Sequence, residues 1–78
     1  MMNLENMKDE ELINMTVETG DKVREAMYTG NNEMLKEEDK IFKALLQEIF
    51  RRNKFFQYQS ANRLAEINGT LRFPASIF

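Results

Sequence analysis

The sequence contains no cysteine and no histidine, and each absence narrows what the chain can do. Without cysteine there is no disulfide and no thiolate metal site, and without histidine the commonest remaining metal ligand is missing. The usual nucleophilic dyads and triads are excluded for the same reason. We therefore predict that the protein is not an enzyme and uses no metal or other cofactor.

Glycine is scarce and long apolar runs are absent. The chain has three glycines and one proline, and the glycines do not form a phosphate-binding loop. No apolar stretch approaches the roughly 20 residues that cross a membrane, and the N-terminus lacks the apolar run of a signal peptide. We expect a cytoplasmic protein without a membrane span.

A chain of 78 residues forms one domain at most, so we expect a single helical interaction domain over 1–78. A domain of this size buries only about 60% of its unfolded surface, and its core alone gives marginal stability. Because disulfides and metals are excluded, we expect a protein partner or a homo-oligomer to supply the additional stability. The apolar fraction of 42%, with six phenylalanines, indicates that the chain folds.

The net charge of −2 conceals opposite charges in the two halves of the chain. Residues 1–39 carry eleven acidic and four basic side chains, a net charge of −7. Residues 40–78 carry two acidic and seven basic side chains, a net charge of +5. This division favours docking of an acidic first helix against a basic later segment, or head-to-tail contacts between copies. We take the intramolecular pairing as the first interpretation.

The strongest structural signal lies in residues 35–56. Two rows of apolar residues recur every four positions and merge into a band about half a cylinder wide: Ile41, Leu45, Ile49, Phe42, Leu46 and Phe50. The segment lacks glycine, proline and serine and is rich in strong helix formers. It predicts a central helix from about Asn32 to Asn53, or a few residues further, with neighbours on more than one side.

Charged residues occupy the side of this helix opposite the apolar band. A narrow arc contains Lys36, Lys40, Lys43, Gln47, Arg51 and Lys54. The arc could bind phosphates or an acidic protein, but helix surfaces that face solvent are usually charged. The preferred interpretation is a solvated surface with ion pairs Asp39–Lys43 and Glu48–Arg52 at the (i, i+4) spacing.

A weaker amphipathic stripe upstream predicts a first helical region from about Met7 to Thr29. Asn3 and Asn6 are its candidate N-caps. Gly20 costs up to about 1 kcal/mol within a helix, so this region is either continuous or broken near that residue.

The connection between the first two helices is short. Gly30 suits the left-handed residue that ends a helix, and Asn31 or Asn32 can cap the next one. Two helices joined by so few residues form an antiparallel hairpin.

The last third of the chain predicts a short helix and a tail. Ser60 is the candidate N-cap of a helix that ends at Asn68–Gly69, although the same dipeptide could form a hairpin turn between very short strands. Pro74 disfavours helix in the preceding residue, so Phe73–Phe78 should form a short extended tail. The predicted fold class is all-α, a small bundle of about three helices.

Residues 51–58 interleave cations and aromatic side chains. The candidate partner-binding residues are Arg51, Arg52, Lys54, Phe55, Phe56 and Tyr58. This mixture suits a protein interface, where arginine and aromatic residues are common at hot spots, and it also suits nucleic acid. A sequence pI near 5.1 with one such cluster ranks a protein partner first. The alternative interpretation is that Phe55 and Phe56 are core residues at a helix–helix corner.

Two resemblances concern particular segments. Residues Ser60–Glu66, followed by Phe73–Phe78, resemble the C-terminal third of the Hha/YmoA family, which comprises small helical modulators that bind the nucleoid protein H-NS. The opening Met-Asn-Leu-Glu-Asn-Met-Lys-Asp-Glu-Glu-Leu is similar in style to small accessory proteins of T-even-like phages, for example lysis-inhibition antiholins. Neither resemblance assigns a role to a residue.

Two functional hypotheses follow from these observations. The first is a small cytosolic regulatory protein that acts by protein–protein binding, such as a phage-type accessory or inhibitor protein. The second is an Hha-like nucleoid or transcription modulator that associates with a DNA-binding partner.

Overall fold

The structure is a computed structural model that describes residues 3–72. In this range a short 3₁₀-helix, Leu4–Asn6, precedes three α-helices: α1 (Asp9–Thr29), α2 (Asn32–Arg51) and α3 (Phe55–Ile67). No strand occurs in residues 3–72, which confirms the all-α class and the bundle of three helices. None of these helices combines the length and the apolar character that a membrane crossing requires. The tail predicted for Phe73–Phe78 lies outside the described residues.

Helix α1 continues through Gly20 without a break. The glycine is buried, and a Cβ atom there would lie 3.1 Å from the Cε1 atom of Phe42 in α2. The small residue therefore lets the two helices approach closely. The predicted N-caps Asn3 and Asn6 are wrong, because α1 begins after Lys8 and no side chain caps it. Three acidic residues in the first turn of α1 suit the positive end of the helix dipole instead.

The connection between α1 and α2 has the predicted form. Gly30 takes the left-handed conformation with φ of 68°, and its backbone N–H donates to the Ala26 carbonyl. Asn31 caps α2, since its side chain accepts a hydrogen bond from the Met34 backbone N–H at 3.1 Å. These contacts confirm the antiparallel hairpin, and they bring the start of α1 beside the end of α2.

Helix α2, like α1, is followed by a residue in the left-handed conformation, although that residue is not a glycine. Asn53 adopts φ of 56°, the one positive value at a non-glycine position in residues 3–72. Its N–H donates to the Phe50 carbonyl at 3.1 Å, and the Lys54 N–H donates to the Ile49 carbonyl at 2.9 Å. This pair of hydrogen bonds forms a Schellman motif. Asparagine adopts the left-handed conformation more readily than most other non-glycine residues do.

Because the chain turns at Asn53, α3 begins at Phe55. The prediction that Ser60 caps this helix is wrong, since Ser60 lies in its second turn. The alternative hairpin at Asn68–Gly69 is also wrong. Gly69 is left-handed with φ of 71° and ends α3 through a bond from the Thr70 N–H to the Ala65 carbonyl at 2.9 Å.

The core lies where the three helices meet. Its buried apolar side chains are Leu12, Val17, Ala26, Leu45, Ile49 and Tyr58. The apolar band predicted for α2 is therefore buried at its middle, where Leu45 and Ile49 have no exposed surface. Phe42 and Leu46 are half-buried, whereas Phe50 is 56% exposed. The C-terminal end of the band is left partly uncovered.

Ion pairs between elements connect the acidic α1 with cations from the second half of the chain. Arg52 meets Asp9 at 3.0 Å and Arg72 meets Glu25 at 2.6 Å. The Lys54 ammonium lies 3.8 Å from the same Asp9 carboxylate. These pairs support the intramolecular interpretation of the charge division, although ion pairs with an exposed partner, such as Arg72–Glu25, contribute only about 0–1 kcal/mol each.

The left-handed Asn53 makes a prediction about stability. Asn53→Ala should lower the free energy of unfolding by about 1 kcal/mol, because alanine keeps the Cβ atom that strains this conformation but loses the short polar side chain whose local hydrogen bonding offsets the strain. Asn53→Gly should retain or raise stability, because glycine has no Cβ atom. Urea unfolding followed by circular dichroism measures both variants. Equal midpoints for the two variants would show that residue 53 is not held left-handed.

Candidate functional site

The six residues predicted to bind a partner lie around the corner between α2 and α3, but they do not form one surface. Arg52 and Tyr58 are largely buried, Lys54 and Phe55 are half-buried, and Arg51 and Phe56 are exposed. The cluster therefore divides into residues that hold the fold and residues that are free to meet a partner.

Arg52 connects the end of α2 to the N-terminal segment. Its Nη2 atom donates to the Leu4 carbonyl at 2.6 Å, and its Nη1 atom donates to the Met7 carbonyl at 2.7 Å. Its Nη1 atom also donates to Asp9, and its Nε atom donates to Glu48 at 2.6 Å. Only 12% of the side chain is exposed. A direct role for Arg52 in partner binding stays a prediction, and its contacts within the chain are structural.

Glu48 is buried between two guanidinium groups. The Arg51 Nε atom donates to Glu48 Oε1 at 2.9 Å, the Arg51 Nη2 atom donates to Oε2, and Arg52 also donates to Oε2. Hydrogen bonds from Arg51 and then Arg52 lower the pKa of the Glu48 carboxyl to about 2, against an opposing effect of burial. The predicted Glu48–Arg52 pair is confirmed, as is Asp39–Lys43 at 2.9 Å.

The aromatic residues at the corner between α2 and α3 also differ in burial. Phe55 stacks on Phe50 with ring centroids 4.7 Å apart and an interplanar angle of 15°. It also contacts Tyr58 at 5.8 Å, and burial raises the pKa of that tyrosine. Phe55 thus fits the core interpretation, and Tyr58 is buried beside it. Phe56 does not fit the core interpretation, because 77% of its surface is exposed.

Phe56 belongs to an apolar surface on the outside of α3. Ile67 is 72% exposed and Leu64 is 59% exposed on the same helix. At about 100° per residue, these three side chains and Ser60 fall within an arc of about 80°. We call this surface, formed by Phe56, Ser60, Leu64 and Ile67, the α3 outer face.

The opposite side of α3 packs against the core through Tyr58, Ala61 and Ala65. The helix is therefore apolar on two sides, and residues 3–72 cover only one of them. The sequence prediction missed this because it began the helix at Ser60, which left Phe56 outside it. The available signal was the number of apolar positions, which is larger than one buried stripe requires.

The α3 outer face is also poor in charge. Helix α3 has two charged residues, Arg63 and Glu66, whereas α1 has eight and α2 has nine. Interface centres are depleted in charged residues and enriched in aromatic residues and arginine. By composition and exposure, this face is the strongest candidate binding surface in residues 3–72.

A cleft of about 500 Å³ lies beside the α3 outer face, with Arg24 of α1 and Phe56 among the lining residues. The Asn62 Oδ1 atom in its wall is buried and accepts no hydrogen bond within residues 3–72. In the same range no group of three or more carboxylates is placed to hold a metal ion. The groups at this site are suited to contacts with another chain.

Comparison with known proteins found no family model, no curated protein and no solved structure that matches this chain. The resemblances to the Hha/YmoA family and to phage accessory proteins therefore stay predictions.

The contacts of Arg52 predict that two neighbouring arginines differ in their effect on stability. Arg52→Ala should lower Tm at least twice as much as Arg51→Ala, because it removes the donors to the Leu4 and Met7 carbonyls. Arg51 is exposed and bonds only to Glu48 among the described residues. Thermal unfolding at neutral pH measures both. Equal losses would mean that the N-terminal segment does not depend on Arg52.

The lowered pKa of Glu48 predicts a loss of stability in acid. The pKa of Glu48 is about 2 in the folded chain and near its ordinary value of 4.5 when unfolded, so the stabilisation is present above pH 4.5. It is lost as the pH falls from 4.5 towards 2, because the unfolded chain takes up the proton first. Glu48→Gln should weaken the change in Tm between pH 5 and pH 3. An unchanged pH profile would show that Glu48 is not the responsible carboxyl.

Proposed function

We propose that this protein is a small regulatory binding protein that docks the α3 outer face onto a partner protein. The observation that carries this proposal is the exposure of three large apolar side chains on a helix with only two charged residues. Contiguous exposed apolar surface rimmed by polar residues is typical of interaction sites.

The expected strength of such an interaction can be bounded. Full burial of one large apolar side chain is worth about 1.5–3 kcal/mol, so Phe56, Leu64 and Ile67 together supply roughly 5–9 kcal/mol at most. Association itself costs about 4–15 kcal/mol in lost freedom and side-chain ordering. Polar contacts must therefore contribute, and the exposed Arg63 lies beside the face to provide them. A reversible interaction suits a regulatory role.

The cellular context that we propose is the one that the sequence suggests, an accessory or inhibitor protein of the cytoplasm. Arg51 and Lys54 stay predicted partner-binding residues at the edge of the corner. The nucleic-acid alternative has less support. Arg51 and Arg52 bond to Glu48, Lys43 pairs with Asp39, and Lys54 lies near Asp9, so much of the positive charge is compensated.

Affinity capture with matched variants tests this function. Leu64→Glu places a charge on the α3 outer face, and Met27→Glu makes the same kind of change on α1, where Met27 is 54% exposed. A partner captured by the full-length parent should be lost at least tenfold with Leu64→Glu and retained with Met27→Glu. Circular dichroism verifies that both variants fold.

Two results would contradict the proposal. One is a captured protein that both variants retain equally, which would place the binding surface elsewhere. The other is tight binding of the parent to DNA at low salt with a steep loss as salt rises, which would favour the nucleic-acid alternative.

A further inference from the structure

We propose that a second copy of this chain occupies the α3 outer face when the protein is alone, with the two α3 helices antiparallel across a two-fold axis near Ser60. The inference rests on the proposed function in one respect, since both require this face to be a binding surface. It goes further by naming the occupant and the register.

The low charge of the α3 outer face favours contact between identical copies of the chain. A two-fold interface brings the same surface of both copies together, so a surface with charge of one sign repels itself. Helix α1 carries six acidic and two basic residues, a net charge of −4. Helix α3 carries Arg63 and Glu66 alone, a net charge of zero. The α3 outer face therefore has little like-charge repulsion to overcome.

The order of residues along the face is complementary to itself when the helices run in opposite directions. Phe56 lies four residues before Ser60 and Leu64 lies four residues after it. A two-fold axis at Ser60 therefore places Phe56 of each copy opposite Leu64 of the other, about 6 Å along the helix from the axis. The small, exposed Ser60 at the crossing point allows the helices to approach to about 8–10 Å.

The same register places Ile67 at the end of the contact. Ile67 lies seven residues after Ser60, whereas α3 begins five residues before it, so Ile67 passes Phe55 of the second copy and lies near the turn at Asn53. The pairing thus extends the apolar contact from the axis to the end of each α3 helix.

The exposed apolar area supplies about half of what a stable dimer needs. At about 200 Å² for a large side chain, the exposed parts of Phe56, Leu64 and Ile67 amount to roughly 400 Å² per copy. A standard interface buries about 800 Å² per partner, and homodimer interfaces are about 65% apolar. Polar neighbours such as Gln57 and Arg63 would supply the remaining area.

Sedimentation equilibrium of the full chain, from low to high micromolar concentration, tests the pairing. The parent should form a dimer. Phe56→Lys and Leu64→Glu should each raise the dimer dissociation constant at least tenfold, while Met27→Glu should leave it unchanged. A mixture of the first two variants should restore pairing, because the proposed axis places residue 56 of one chain opposite residue 64 of the other.

Three outcomes would overturn the inference: a parent that stays monomeric throughout, a dimer that neither α3 substitution weakens, or a mixture that does not restore pairing. The capture experiment separates these failures from failure of the proposed function. A monomeric parent whose captured partner is lost with Leu64→Glu would retain the binding face and replace the second copy with a different protein.

Discussion

The Arg52 guanidinium holds together the open end of the α1–α2 hairpin. It donates to three backbone carbonyls of the N-terminal segment and to two carboxylates, and the Glu48 carboxylate behind it is shared with Arg51. Directly after Arg52 the chain turns left-handed at Asn53, and this turn sets the direction of α3. The exposed apolar face of α3 therefore depends on a helix end fixed by charge-assisted hydrogen bonds.

Local signals were sufficient to predict much of this fold. The four-residue spacing around Leu45 and Ile49 identified α2 and its buried centre, because amphipathic periodicity records which side of a helix meets the core. Gly30 and Asn31 fixed the hairpin, since a left-handed residue followed by a capping side chain is a strong boundary signal. The pairing of an acidic first helix with later cations also followed from the sequence.

Other features depend on contacts that no local pattern records. Arg52 contacts backbone carbonyls and the Asp9 carboxylate that lie 43 to 48 residues earlier in the chain. The helical (i, i+4) spacing predicted only its ion pair with Glu48. Ser60 has the properties of an N-cap, yet the turn at Asn53 starts α3 earlier and places Ser60 inside the helix. The division of Phe55 and Phe56 between core and surface was likewise decided by the direction in which α3 leaves the corner.

Helix α3 could bury either of two apolar sides, and the corner selects the one with Tyr58 and two alanines. The larger Phe56, Leu64 and Ile67 then remain exposed to solvent. Covering them with another chain would contribute a favourable free energy of about 25 cal/mol for each Å² of apolar surface buried. A second copy and a different partner that use this face exclude each other. Self-association would therefore reduce the fraction of chains whose α3 outer face is free, and the apparent affinity for the partner would fall in proportion to that fraction. Partner binding would then depend on the concentration of this protein.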